Sequence, residues 1–186
     1  TIYLDGNFLE DIPSYFDEFE KLEEISLFGN NFARIDTSLL PQQFKLFNLY
    51  FNKISEWDVN EPLNATTINL NTNLFAAFPV KVLETNGLRA LTLSHCLIQG
   101  CVDVTLPDQL AALDISYNEI TELGPLLISS LTKATALNFN NNKISKIADC
   151  FPQYTMVTRM MLDHNEITEL PPTFVNCTRI EQIGRA

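Results

Sequence analysis

His95 and His164 are the only imidazoles in this 186-residue chain, and Cys96, Cys101, Cys150 and Cys177 are its only thiols. Side chains of these types can hold zinc, pair as nucleophile and base, or close disulfides. Which chemistry is open to them depends on where the fold puts them. The sequence has no glycine-rich phosphate loop, no H-E-x-x-H and no paired C-x-x-C, so no familiar nucleotide or zinc signature does the placing. It has to come from the elements that carry these residues.

Those elements repeat. The strings ISLFGNNF (25–32), FNLYFNKI (47–54), LDISYNEI (113–120), LNFNNNKI (137–144) and MMLDHNEI (160–167) share one spacing. Anchored on the Asn, the series runs Asn7, Asn30, Asn52, Asn73, Cys96, Asn118, Asn142, Asn165, with gaps of 21 to 24 residues. Five and three places before each anchor stand apolar residues, from Ile2/Leu4 and Ile25/Leu27 through Leu113/Ile115 to Leu137/Phe139 and Met160/Leu162. Two apolar residues separated by one other point to the same side of a strand. A third column follows two places after the anchor (Leu9, Phe32, Ile54, Phe75, Ile98, Ile120, Ile144, Ile167). A fourth follows five places after it (Ile12, Ile35, Trp57, Phe78, Cys101, Leu123, Ile147, Leu170). A unit of this length cannot bury its own apolar face, so units must stack and bury these columns against their neighbours. The Asn then has a physical role. It sits where the chain leaves the strand inside the stack, and its amide can pair with corner N–H and C=O groups that would each cost about 1–3 kcal/mol if left orphaned.

The pattern resembles the leucine-rich-repeat family, L-x-x-L-x-L-x-x-N/C-x-L, over eight repeats and nearly the whole chain. The resemblance implies an α/β-class leucine-rich-repeat solenoid, a right-handed horseshoe or arc with a parallel β-sheet on its concave face. Pro13, Pro41, Pro62, Pro79, Pro107, Pro125, Pro152 and Pro171 fall in the return segments, which predicts extended or 3₁₀ turns on the convex side rather than helices. The triplets Phe16/Phe19/Leu22, Phe151/Tyr154/Val157 and Phe174/Cys177/Ile180 are expected to lead the chain back into the core. Residues 1–186 are read as a single solenoid. Lacking the capping segments usual in the family, it is expected to be a fragment of a longer repeat domain.

On this register the reactive residues disperse. His95 and His164 share one exposed strand-end position three repeats apart, roughly 14 Å at the spacing of parallel strands, too far for a shared metal or a catalytic pair. Asp163 beside His164 points to the other face unless the strand is ending there. Cys96 takes an Asn rung, Cys101 the column of Ile12 and Trp57, and Cys177 the column of Tyr154. These are core positions where Cys acts as a small hydrophobe, so Cys101 is expected to be unreactive in the folded chain. Cys150 has no such column, and Cys96–Cys101 or Cys150–Cys177 would be the disulfides to test. No catalytic residue, no metal and no cofactor is expected, and the chain is read as not an enzyme.

The net charge of −11 disfavours a nucleic-acid partner, which needs Lys and Arg against its phosphates. No apolar run is long enough to insert in a membrane. Seven acids, Glu10, Asp11, Asp17, Glu18, Glu20, Glu23 and Glu24, form either a patch for a basic partner or a solvated face. Asn64-Ala65-Thr66 and Asn176-Cys177-Thr178 are glycosylation sequons. The second resembles a string of extracellular family members, which favours an extracellular or cell-surface setting over the cytoplasmic alternative.

In the family, partners dock on the concave face. Here that face carries Tyr3, Phe28, Tyr50 and Phe51 in the first three repeats, beside Asn48, Asn69 and Asn71. Exposed aromatics next to amides suit a hot spot with a polar rim, and these seven are the candidate ligand-binding residues. The expected function is non-enzymatic recognition of a protein or peptide, as part of a receptor or secreted recognition protein, with carbohydrate a further ligand class. The alternatives are end-to-end self-association into fibres and an intracellular scaffold that regulates a separate enzyme.

Overall fold

The computed structural model describes residues 1–41, 44–57 and 63–183, leaving Pro62 of the proline series outside the described residues. The chain forms two compact units, Thr1–Cys96 and Leu97–Ala186. Each is a coil of a parallel-sheet solenoid. In the first, β1 (Ile2–Tyr3), β2 (Glu24–Ser26), β3 (Leu46–Asn48), β4 (Thr67–Asn69) and β5 (Ala90–Thr92) pair in sequence order. The register is that of the repeat, with Ile2 opposite Ile25, Ile25 opposite Phe47, Phe47 opposite Ile68 and Ile68 opposite Leu91. Parallel strands cannot be joined by a hairpin, so each turn of the coil carries the chain around the core and back. The returns hold short 3₁₀ turns at Phe16–Glu18, Thr37–Leu39 and Val80–Glu84.

The second unit holds β6 (Gln99–Val102), β7 (Ala112–Asp114), β8 (Glu119–Leu123), a single-turn helix α1 (Pro125–Ser129), β9 (Ala136–Asn138), β10 (Lys146–Ile147), β11 (Arg159–Met161), a 3₁₀ turn Pro172–Asn176 and β12 (Gln182–Ile183). Strands β7, β9, β11 and β12 continue the repeat register. Strands β6, β8 and β10 form a second parallel sheet, where the sequence pattern predicts extended or 3₁₀ turns without a sheet. Its inner face is apolar, with Ile120, Leu123 and Ile147 buried. Lys143–Glu119 at 3.1 Å and Lys146–Glu122 at 2.6 Å cross its outer face. Exposed pairs of this kind add at most about 1 kcal/mol each, so the apolar columns, not the charges, hold this sheet.

The inward columns are closed. Leu27, Phe47, Leu49, Ile68, Leu70, Leu91, Leu93, Ile115, Leu137 and Phe139 are all 0% exposed. Four expected core positions are exposed instead. Cys101 is exposed because Gly100 takes φ +76° and the β6–β8 register slips between Gly100 and Cys101, which turns Val102 inward in its place. In the Phe151/Tyr154/Val157 triplet Tyr154 is 81% exposed. Thr155 is buried instead, its hydroxyl donating to the Leu131 carbonyl. Leu170 (45%) and Phe19 (40%) also reach solvent.

The Asn rungs after the first tie successive turns together. Asn52 accepts from the Phe32 amide at 3.1 Å and donates to the carbonyls of Leu27 and Leu49 at 3.0 and 3.1 Å. Asn30, Asn73, Asn142 and Asn165 repeat this geometry; Asn118 accepts from Ile98 N and donates to Ile115 O, and Asn7 donates to Leu4 O. The residue before every rung is in the left-handed region, φ 53–66°: Gly6, Gly29, Phe51, Thr72, His95, Tyr117, Asn141 and His164. Only the glycines adopt it freely. A β-branched Thr there costs about 1–2 kcal/mol, held because the ladder on both sides demands the bend.

Cys96 is the incomplete rung. Its thiol donates to the Leu70 carbonyl at 3.4 Å, but it has no oxygen for the Phe75 amide, which makes no hydrogen bond among the described residues. Burial pushes this thiol up to about 11, so it stays protonated. Cys96→Asn is expected to complete the rung and raise stability by about 1 kcal/mol, read by chemical denaturation. A loss of stability would show that the rung has closed around the smaller side chain.

Candidate recognition face

The outward side of the first unit's sheet brings together three of the four aromatics expected there. Phe28 and Tyr50 hold the same repeat position on adjacent turns, and their rings stack at 5.0 Å with an interplanar angle of 19°. Phe51 leans on both, 6.4 Å from Phe28 and 6.2 Å from Tyr50. Neighbours along a strand point to opposite faces. Phe51 joins Tyr50 on one face because both lie past the end of β3 and the φ of 57° at Phe51 bends the chain there. Tyr50 is 38% and Phe51 59% exposed, while Phe28 is half-buried.

Tyr3 stands apart. It lies two places back along β1 and makes no ring contact among the described residues. Its hydroxyl donates to Glu24 Oε2 at 3.2 Å, and this bond to a carboxylate raises the phenol above its ordinary range.

The amides divide by role. Asn48 is committed at both ends, accepting from Tyr50 N at 3.2 Å and donating to Ser26 Oγ at 3.0 Å. Ser26 donates in turn to Asp5 Oδ1 (2.6 Å), which also accepts the Phe28 amide (3.0 Å). Asp5, Ser26 and Asn48 therefore form a polar brace under the rings. The spacing could have flagged this, since an Asn two places before an amide commonly accepts from it. Asn69 Oδ1 accepts from Asn71 N and Thr92 Oγ1, and Asn71 Oδ1 accepts from Ser94 N at 2.7 Å. The Nδ2 groups of Asn69 and Asn71 make no hydrogen bond among the described residues. They are donors on offer.

The other singled-out residues do not converge. His95 and His164 belong to different units, and no group of three or more His, Cys, Asp or Glu able to hold a metal ion occurs among the described residues. All four cysteines are free thiols. Cys177 is buried and pushed up to about 11 by desolvation, whereas Cys101 is exposed, its thiol raised by partial burial and by Glu122 and Asp103. Cys101 is therefore expected to take up a maleimide in the folded protein at mildly alkaline pH while Cys96 and Cys177 do so only on unfolding. Mass spectrometry of the labelled sites checks this, and labelling of Cys96 at the rate of Cys101 would contradict it. Asn64 is half-buried, its backbone bridged to Asn86, and its sequon's Thr66 hydroxyl donates to the Lys45 carbonyl at 2.7 Å. Asn176 Nδ2 donates to the Phe151 carbonyl at 3.0 Å, a bond that a glycan on that nitrogen would disturb.

A family model described as leucine rich repeat matches residues 108–167. The chain is 29% identical to podocan of Mus musculus over 99% of its own length and 32% of podocan's. It is 28% identical to lumican of Coturnix japonica, over 98% of this chain and 49% of lumican. The chain thus spans half or less of the length of these curated relatives. Among solved structures, TLR13 in a complex named for ssRNA13 superposes with a TM-score of 0.74 at 18% identity, covering 95% of this chain and 26% of that one. A repeat protein of Leptospira interrogans gives 0.64 at 21% identity, covering 98% and 53%. At these identities the structural likeness is one of fold.

Proposed function

We propose that this leucine-rich-repeat protein is a non-enzymatic recognition scaffold whose outward sheet face, around Phe28, Tyr50 and Phe51, binds a protein or peptide partner. The observation that carries the reading is the ring cluster itself. Three aromatics stand in mutual contact, two of them well exposed, with unengaged amide donors at Asn69 and Asn71 on the neighbouring turn. Exposed aromatic area is costly to leave in water, and rings of this kind dominate binding hot spots when a polar rim surrounds them. The fold supports the reading too, since stacked repeats build a wide, shallow sheet suited to an extended partner.

The reading extends to the whole chain and its setting. The Cys96-to-Asn118 gap of 22 residues keeps the period running, which supports one repeat domain over 1–186. Likeness to podocan and lumican supports an extracellular or cell-surface setting. The RNA named with TLR13 is that protein's ligand. With 12 basic residues against 23 acidic ones, this chain offers poor counter-charge to a phosphate backbone.

The test uses peptides selected on this protein from a random display library. Tyr50→Ala is expected to weaken them by about 2 kcal/mol, some thirtyfold. Its loss of stability should stay within about 1.5 kcal/mol, the worth of the stack on Phe28. Unchanged affinity would sink the face as the binding site.

A further inference from the structure

We propose that the occupant of this face is a basic, extended peptide segment running across the strands, with an Arg or Lys head group over the Phe28–Tyr50 rings and the Asp5 carboxylate beside it. The inference rests on the recognition reading above and deepens it by naming the chemistry of the partner. Asp5, Phe28, Tyr50 and Asn71 occupy one repeat position on four consecutive turns. They therefore form a row across the sheet with steps of about 4.8 Å and a total span of about 14 Å. An extended peptide covers that span with four or five residues at about 3.3 Å each.

The two ends of the row differ in kind. At one end Asp5 spends Oδ1 on Ser26 Oγ and the Phe28 amide, and Oδ2 makes no hydrogen bond among the described residues. The brace thus holds the carboxylate next to the first ring with a lone-pair face outward. In the middle, each of the two rings stacked at 19° uses one face on the other and keeps its second face, whose negative quadrupole attracts a cation within about 6 Å of the ring centre. At the other end Asn71, with Asn69 beside it, offers amide donors to peptide carbonyls.

The charge on the outward sheet positions has one sign. Glu24 lies on the same face, bound to the Tyr3 hydroxyl. The outward sheet positions of the five turns (1, 3, 5 and 6 of the first and their equivalents) contain Asp5 and Glu24 but no Lys or Arg. Lys45, just before β3, is paired with Glu23 at 2.9 Å, and Lys53, three residues after Tyr50, lies past the Asn52 rung and off the outward positions. Seven acids between residues 10 and 24 add to the negative field of this unit. An acidic ligand would be repelled and a neutral one would gain nothing from Asp5, whereas Arg or Lys engages both the carboxylate and the rings.

A nonapeptide of alternating Arg and Ser is the probe, with citrulline and Glu versions that keep its length and change its charge. Dissociation constants are read by fluorescence anisotropy at physiological salt. The Arg peptide is expected to bind, and the citrulline peptide to bind at least about tenfold more weakly. Tyr50→Ala should also cost about tenfold although it leaves net charge untouched. Asp5→Asn, which keeps the oxygen that braces Ser26 and Phe28, should cost about threefold. The double control Glu10→Gln/Glu18→Gln should change affinity by less than about twofold. Arg-peptide binding that ignores Tyr50→Ala would be attraction to bulk charge and would overturn the proposal. So would equal binding of the citrulline peptide, or no binding at millimolar concentration. Library-selected peptides separate the two levels. Neutral or acidic winners that are lost with Tyr50→Ala overturn the basic partner but keep the face, and winners indifferent to Tyr50→Ala overturn the face itself.

Discussion

Phe139→Ala is expected to destabilise the second unit by about 3–5 kcal/mol, measured as a lowered denaturation midpoint. The ring is 0% exposed in the inward column that starts with Leu137. Its neighbours are fixed on both sides by the strand register, with Leu137 opposite Leu113 and Met160. Repeats stacked at a fixed spacing cannot close in to fill the space, so most of the cavity cost remains. Tyr154→Ala removes a ring of similar size that is 81% exposed, and should change stability by less than about 0.5 kcal/mol. Similar losses at the two sites would place Phe139 outside the core and undo the register.

Asn142→Ala is the second large effect. The side chain accepts from Ile120 N at 3.1 Å and donates to the carbonyls of Ile115 and Phe139 at 3.1 and 3.0 Å. Alanine would orphan the buried Ile120 N–H, while the two carbonyls each keep one donor, Ile115 O from Asn118 and Phe139 O from Asn165, so a loss of about 1–3 kcal/mol is expected. Amide hydrogen exchange gives a second readout, because the Ile120 N–H should lose protection before the strand amides around it. A loss no larger than that of a surface Asn would mean water replaces the rung at little cost.

These two positions also mark what the sequence made legible. A buried Asn returning every 21 to 24 residues, flanked by apolar residues at constant offsets, can be read directly because burial leaves few residue types to choose from. The strands, their parallel order and the ladder follow from it. Legibility falls away where the chain departs from the period by one residue. Gly100 gave no sign that it would bulge β6 and turn Cys101 outward, since an isolated glycine fits both a regular strand and a bulge. The left-handed column before each rung was concealed for a different reason. Phe51, Thr72, His95 and Tyr117 are not residues that announce a positive φ, and their conformation is imposed by the ladder rather than chosen locally.

The candidate face was legible in part. Repeat position alone places Phe28 and Tyr50 side by side, and the bend at Phe51 tightens the cluster beyond what strand alternation allows. Tyr3 and Asn48 stand on the same outward face but make other bonds, Tyr3 to Glu24 and Asn48 to Tyr50 N and Ser26. Hydrogen bonds between turns decide this, and they depend on side-chain reach rather than on spacing.

The claim that recognition occurs around Phe28, Tyr50 and Phe51 is met most directly by hydroxyl-radical footprinting of the protein with and without a library-selected peptide, read residue by residue by mass spectrometry. Phe51 at 59% and Tyr50 at 38% exposure are expected to lose reactivity on binding, while Tyr117 at 49% and Tyr154 at 81% keep theirs. Protection at Tyr117 or Tyr154, with Tyr50 and Phe51 as reactive as in the free protein, would contradict it.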